Sequence, residues 1–303
     1  VQRPSDDQSF NQRLQGCASL IEQRLDEWLA PQTGGAVPDR LNEAMRYGVL
    51  GGGKRLRPFL VLESARLCGL SDEAALNVGA ALECIHCYSL VHDDLPAMDD
   101  DDLRRGRPTV HKAFDEATAI LAGDALLTLA FEILADPETH PDPGVRSALS
   151  LGLARSAGRA GMAGGQMLDL QAPGANLSET EILRLQSMKT GALIGFACEA
   201  GAILACAEAA RRGALAAYGG TLGLAFQLAD DLLDVEGVAA LVGKAVAKDH
   251  GAGKATLVSL IGADAARKRL DQLEAQACGA LAPFGDAAAM LIAAAHFVAN
   301  RKH

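Results

Sequence analysis

An all-α fold in one domain is what this sequence predicts, on three observations. Alanine and leucine dominate while runs of β-branched residues are scarce, a composition that favours helix over strand. Proline and glycine clusters cut the chain into apolar-rich segments of helical length. No linker, fixed-period repeat or low-complexity tract interrupts residues 1–303, so a single all-helical domain is the economical organisation for a chain long enough to bury a large core.

The elements follow in order. A first helix is expected over residues 10–29, stopped by Pro31 and the Gly34-Gly35 pair, and a second over 38–50, stopped by Gly51-Gly52-Gly53. Pro58 suits the first turn of a helix over 58–68. Ser71 opens a long helix through Val91 into a run of aspartates, where Pro96 forces an irregular end. Thr109 is placed to cap a further helix, and residues 118–134 read as another. Pro137, Pro141 and Pro143 mark an exposed corner, followed by a continuous helix over 145–170. Ser178 and Glu181 have capping-box spacing and open a helix to about Met188. Helices over 192–206, 211–233, 265–281 and 287–299 complete the chain. Glycines at 161, 164, 165, 219, 220 and 223 allow helices to approach closely, either around a buried space or as plain close packing.

Lysine and arginine total 28 against 38 acids, a formal charge of −10, and aromatic residues are 4% of the chain. No basic stripe with interleaved aromatics is present, which argues against nucleic-acid binding. Seven cysteines cannot all pair within the chain, and most lie in apolar helical contexts, as buried thiols in a reducing compartment would. Cys84 and Cys87 form a lone CxxC inside a helical pattern, so it does not read as a zinc or redox motif. The opening residues lack an apolar core, so no secretory signal is expected. The apolar stretch over 192–207 contains Glu199 and is too short for a convincing span. A cytoplasmic protein without stable membrane insertion is the expectation.

The residues that carry chemistry are two acidic clusters far apart in sequence. The first is Asp93, Asp94, Asp99, Asp100, Asp101 and Asp102; the second is Asp230, Asp231 and Asp234. Each ends an apolar helical stretch and is followed by cations: Arg104, Arg105 and Arg107 after the first, Lys244, Lys248 and Lys254 after the second. Carboxylates this dense need positive charge beside them. Acids for a hard divalent ion with bases for an anion point to a Mg²⁺-bridged phosphate or diphosphate. In the second cluster the three- and four-residue offsets share one helix face, although a lone DDxxD also fits a solvent-exposed helix end. In the first cluster Pro96 breaks the helix, so Asp99 must come back by a distorted turn. The spacing is not that of an EF-hand loop.

GGGKRLRP at residues 51–58 is not a Walker A loop, since the GxxxxGK[ST] spacing is missing and no strand precedes it. It still sets Lys54, Arg55 and Arg57 at the entrance to a helix, where an anion is favoured, though a solvated basic turn reads the same way.

With these motifs assembled, the chain resembles the trans-isoprenyl diphosphate synthases, the bacterial farnesyl diphosphate synthases in particular, from about Arg40 onward. The resemblance rests on GGGKRLRP, HDDLPAMDDDDLRRGRPTVH at 92–111, GDALL at 123–127, GGQMLD at 164–169, KTG at 189–191, FQLADDLLD at 226–234 and the later GK and KD pairs, all in the family's order. It implies the isoprenoid synthase fold, antiparallel helices around a central active-site cavity. It implies Mg²⁺-dependent head-to-tail condensation of isopentenyl diphosphate with dimethylallyl and geranyl diphosphate, giving (2E,6E)-farnesyl diphosphate.

By the same resemblance Asp93, Asp94 and Asp99 bind two Mg²⁺ ions on one side of the allylic diphosphate, and Asp230, with Asp231 and Asp234, holds a third opposite; Mn²⁺ is a possible substitute. Arg104, Lys189 and Lys244 contact the allylic diphosphate, with Lys254 a further basic contributor. Gly53, Lys54, Arg57, His86 and Arg105 form the isopentenyl diphosphate site. Lys189, Thr190 and Gln227 lie near the developing allylic cation. The departing diphosphate accepts the proton, so no protein base is assigned, and a homodimer is expected.

Tyr88, five residues before Asp93, sits more than a helical turn below the metal-binding end, where it either packs in the core or, as the resemblance implies, closes the cavity floor, with Ser89 leaving room beside it. Together with Pro96-Ala97 this matches the bacterial farnesyl pattern and favours a C15 product over geranyl or geranylgeranyl diphosphate. Two departures bear on flap closure and on placement of the third metal: Gly237 is followed by Val238 rather than aspartate, and residues 254–258 read KATLV without tyrosine or proline. A non-catalytic partner subunit is disfavoured because the aspartates and bases are present. A terpene cyclase is disfavoured because Lys54, Arg57 and Arg105 provide for a second diphosphate.

Overall fold

The computed structural model describes residues 4–31, 36–242 and 256–301. By internal contacts the chain forms two compact units, Val1–Leu151 with Ile203–Cys206, and Gly152–Ala202 with Ala207–His303. Both are helical. Among the described residues the only strands are a two-residue pair.

The first unit holds α1 (Pro4–Trp28), α2 (Asp39–Val49), α3 (Leu56–Leu67), α4 (Asp72–Asp93), β1 (Leu103–Arg104), β2 (Arg107–Pro108), α5 (Val110–Ala113), α6 (Glu116–Ala135) and the start of α7 (Pro143–Ala157). α4 is its axis, packed against α1, α2, α3 and α6. Ser71 caps it by accepting from the Ala74 amide. Leu82 and Ile85 are wholly buried, and each such side chain contributes about 1.5–3 kcal/mol. This apolar seat fixes the position of the acidic C-terminal end of α4. α6 starts two residues before the expected 118, capped by Asp115, which accepts from the Thr118 amide at 2.7 Å. Thr109 stands at the N-cap of α5 but makes no capping bond; its hydroxyl donates to the Asp101 carbonyl at 2.9 Å and ties down the acidic loop.

The second unit holds the rest of α7, α8 (Met162–Gln171), α9 (Glu179–Gln186), a π-helical turn (Ser187–Gly191), most of α10 (Ala192–Leu204), α11 (Ala209–Val242), α12 (Leu257–Ile261), α13 (Ala263–Ala280), a 3₁₀ segment (Ala282–Ala288) and α14 (Ala289–Asn300). The Ser178–Glu181 capping box is formed. The helix expected over 145–170 is instead two, because the chain turns at Gly158 and Gly161. A Cβ on Gly161 would lie 2.0 Å from the Ser156 carbonyl oxygen, so only glycine fits that turn. α11 runs well past the expected end at 233, and α12 had no sequence signal recognised for it. Tyr218 is fully buried and donates to the Leu291 carbonyl at 2.7 Å, fastening α11 to α14.

No disulfide joins the cysteines among the described residues. Cys84 and Cys87 face the core of α4, and burial pushes the Cys87 thiol up to about 12, so it stays protonated. Among the described residues three segments are long and apolar enough to cross a membrane: Asp72–Asp93, Glu116–Ala135 and Ala282–Asn300. The buried share of their most apolar 18-residue windows is 72%, 50% and 33%, in that order.

Candidate active site

In the first unit the chain leaves α4 through the distorted turn the sequence anticipated. The Asp99 amide donates back to the Asp93 carbonyl at 2.8 Å, the Asp100 amide to the Leu95 carbonyl at 3.1 Å, and Asp100 takes φ +53°. Asp99 is thereby returned to the helix end that carries Asp93 and Asp94. Asp93 is half-buried and Asp99 exposed, while Asp94 is 3% exposed. Arg104 donates Nε (2.7 Å) and Nη2 (2.6 Å) to one Asp94 oxygen. Burial raises the Asp94 pKa, and Arg104 opposes that rise.

Arg104 is aimed by the β1–β2 hairpin, whose central residues Arg105 (φ +54°) and Gly106 (φ +76°) both take the left-handed conformation of a type I′ turn. The same turn sends Arg105 to the glycine loop, where it donates to the Gly52 carbonyl. Gly53, at φ +134°, leaves room for that guanidinium: a Cβ there would lie 2.8 Å from it. Arg107 stacks over Tyr47 at 4.3 Å, and Tyr47 donates to the Pro108 carbonyl at 2.8 Å.

The three basic residues of GGGKRLRP separate into two roles. Arg55 turns inward at φ +50° with its side chain 0% exposed, and donates at 2.6 Å each to Glu83 and to the Val49 carbonyl. It is a structural anchor. Lys54 is exposed, and Arg57 lies 3.5 Å from His86 Nε2. Burial, then the charges of Arg57 and Arg105, hold the His86 pKa well below 6.5, so the free ring is neutral. Tyr88 packs edge-on against His92 at 5.8 Å, and Ser89 donates to the His86 carbonyl at 2.8 Å. Burial and then Asp93 raise the Tyr88 pKa, keeping the phenol neutral.

The second unit gathers its candidate residues around the π-helical turn, a feature that recurs at functional sites. α8 and α11 press on this turn from both sides. A Cβ on Gly165 would stand 2.2 Å from the Lys189 amide nitrogen, and one on Gly223 2.6 Å from the Gly191 Cα. These glycines are thus spent on close approach to the turn. Lys189 pairs with Asp169 at 2.5 Å. Thr190 donates to Gln227 Oε1 at 2.9 Å, Gln227 Nε2 donates to Asp231 at 3.0 Å, and Gln186 Nε2 donates to the other Asp231 oxygen at 2.7 Å. An ionised Asp231 accepts only, which orients the Gln227 amide and aims its carbonyl at Thr190. Asp231 is 5% exposed, whereas the Asp230 side chain is 43% exposed and paired with Arg301.

Asp234 lies on α11 one turn beyond Asp230. Lys244 and Lys254 lie outside the described residues, as does any structural account of the Val238 side chain. Residues 256–261, by contrast, are described: Thr256 caps α12 with Ser259, and Val258 is buried. Sequence reasoning grouped Arg55 with the anion-facing bases rather than as an anchor, and it assigned no role to Asp169, Gln186 or Arg301. It also passed over Gln166, whose amide is buried with neither end hydrogen-bonded. Asp169 and Gln166 lie within the GGQMLD motif, a signal that was available.

The sequence profile of the polyprenyl synthetase family matches residues 38–280. The chain belongs to this family. A relative within it, the farnesyl diphosphate synthase of Escherichia coli K12, is 47% identical over 268 residues, covering 87% of this chain and 88% of that protein. The chloroplastic geranylgeranyl pyrophosphate synthase 11 of Arabidopsis thaliana is 41% identical over 271 residues, covering 87% of this chain and 75% of that protein. Among solved structures, an apo FPP/GFPP synthase from Zymomonas mobilis superposes with a TM-score of 0.87 at 45% identity, covering 97% of this chain and 99% of that one.

Among the described residues no three histidine, cysteine or acidic side chains converge as a preformed metal site. The donor chemistry of this polyprenyl synthetase nevertheless fits a hard cation. Asp93, Asp94 and Asp99 supply only carboxylate oxygens, on a helix end and a turn hydrogen-bonded back to it.

Proposed function

We propose that this prenyltransferase condenses isopentenyl diphosphate head-to-tail with dimethylallyl and then geranyl diphosphate, in a Mg²⁺-dependent reaction ending at (2E,6E)-farnesyl diphosphate. The observation that carries the reading is the basic cluster of the first unit. Arg57, 3.5 Å from the His86 ring, and Arg105 both bring positive charge to His86, and an Asp94–Arg104 pair stands at the acidic end of the same helix. A cation-rich site next to a carboxylate-rich one suits two diphosphate substrates. A cyclase, with one diphosphate, has no use for the first of these.

Asp93, Asp94 and Asp99 would hold Mg²⁺ in the first cluster, and Asp230, with Asp231 and Asp234, in the second. When bound, the ions neutralise the charge that builds on the diphosphate leaving group. Between Asp230 and Asp231, Asp230 is the better suited to a metal, since both Asp231 oxygens already accept amide protons. Arg104, Lys189, Lys244 and Lys254 would bind the allylic diphosphate, and Gly53, Lys54, Arg57, His86 and Arg105 isopentenyl diphosphate.

Carbon–oxygen cleavage leaves an allylic cation. The Thr190 oxygen suits it: its proton is committed to Gln227, so its lone pairs are open to positive charge. The isopentenyl double bond attacks the cation, and the departing diphosphate takes the proton lost from the adduct. Tyr88, neutral and packed on His92, is assigned to the end of the prenyl cavity.

Three further assignments belong to the same proposal. A homodimer is supported by exposed Ile120 and Leu121 on α6. The buried position of α4 supports the absence of membrane insertion, and buried cysteines outside disulfides support a cytoplasmic location. The test is consumption of geranyl diphosphate with and without isopentenyl diphosphate, in the wild type and in Asp93→Ala and Asp230→Ala. Consumption that needs both substrates and collapses in both variants supports the reading. Consumption of the allylic substrate alone, or near-normal turnover in the variants, overturns it.

A further inference from the structure

Asp230 does not stand open in this protein. Its carboxylate is 2.5 Å from Arg301 Nη2. The Arg301 side chain is only 9% exposed and is fixed at two other points: its guanidinium lies 3.9 Å over the Phe226 ring and donates to the Phe226 carbonyl at 2.6 Å. Phe226 and Asp230 are four residues apart on α11 and share a face. The guanidinium therefore lies along one turn of the helix, held by ring and carbonyl even when it releases the carboxylate. The two Asp231 oxygens accept from the Gln186 and Gln227 amides.

We propose that Arg301 is a built-in counter-ion for Asp230, holding its carboxylate aimed and neutralised and delaying divalent metal at this cluster until a diphosphate has bound. A metal ion reaching Asp230 meets a fixed positive charge that is anchored beside it. Repulsion between the two disfavours metal loading on the free enzyme. A bound diphosphate brings enough negative charge to hold metal and guanidinium together. The second acidic cluster is thereby loaded after the anion, and the order is set by a residue beyond the last helix. This inference rests on the reading of Asp230 as a metal ligand.

The test is Mn²⁺ binding to the whole protein, followed by electron paramagnetic resonance of the free ion, without and with inorganic diphosphate. Without diphosphate, Arg301→Gln should bind Mn²⁺ about tenfold more tightly than wild type. Arg301→Lys should stay near wild type, and adding Asp230→Asn to Arg301→Gln should abolish the gain. With diphosphate the difference should narrow. Equal or weaker binding by Arg301→Gln, or a gain that survives Asp230→Asn, overturns the proposal. Should Arg301→Gln fail to fold by circular dichroism, Arg301→Lys and Asp230→Asn decide: Asp230→Asn leaving diphosphate-free binding unchanged fits a blocked site, and its lowering that binding does not. A protein that shows the Arg301→Gln gain yet condenses no prenyl substrate would sink the functional reading and leave this one standing.

Discussion

Removing Glu83 should expose how the basic loop is held. Arg55 and Glu83 meet at 2.6 Å with side-chain exposures of 0% and 2%, so the pair has no water to fall back on. Burial is the largest influence on the Arg55 charge and works against it, and Glu83, Cys87 and Glu22 together outweigh it. In Glu83→Ala the guanidinium keeps the Val49 carbonyl at 2.6 Å and Glu22 at 3.3 Å, the latter 42% exposed. Leaving a buried charge without its main partner costs about 3–5 kcal/mol. The remaining acceptors place this case near 3. At about 2 °C per kcal/mol for a chain of this size, the melting temperature should fall by about 6 °C.

The control is Arg55→Met with Glu83→Met, which removes both charges and is expected to recover most of the loss, because a buried pair contributes little over well-packed apolar residues. Thermal unfolding monitored by circular dichroism reads both variants. Because Arg55 lies between Lys54 and Arg57, Glu83→Ala should also raise KM for isopentenyl diphosphate more than for the allylic substrate. A fall under about 2 °C, or a double variant as unstable as the single one, would refute the reasoning.

Three further outcomes follow from the geometry. Asp231→Ala frees the Gln186 and Gln227 amides and should lower kcat by about 10²-fold while KM changes little, since what is lost is the aim of Thr190; steady-state kinetics with an unchanged kcat would contradict this. Tyr88→Ala should lengthen the product, read by chromatography of the dephosphorylated prenols, and an unchanged distribution would rule out the floor role. The Thr118 amide, then Arg40, hold the Asp115 carboxyl down to about 2 from 3.8. Because the folded pKa is depressed, the stabilisation is present above 3.8 and lost as pH falls through about 2. The gap in melting temperature between wild type and Asp115→Ala should therefore be full at neutral pH and close in acid; a pH-independent gap would contradict the assignment.

Helices with a capping signal were legible in the sequence: Ser71 and the Ser178–Glu181 box each mark a real start. The break at Gly158 and Gly161 was not, because glycine inside an apolar helical pattern is often tolerated and only the clash with the Ser156 carbonyl shows that it is required. The acidic turn was anticipated because Pro96 leaves no straight continuation. The separation of Arg55 as an anchor from Lys54 and Arg57 was hidden, since the three differ in the left-handed backbone at Arg55 and in burial, neither of which the residue types report. Asp231 illustrates the general limit. Its spacing placed it with Asp230 on one helix face, but Gln186, which occupies one of its oxygens, lies 45 residues away in sequence.

The most direct test of the central claim is product analysis of the purified protein with Mg²⁺, isopentenyl diphosphate and either dimethylallyl or geranyl diphosphate. A dominant C15 diphosphate from both starters is the predicted result. A C10 or C20 product would keep the chemistry and contradict the assignment of Tyr88 as the stop, and no condensation from either starter would contradict the account as a whole.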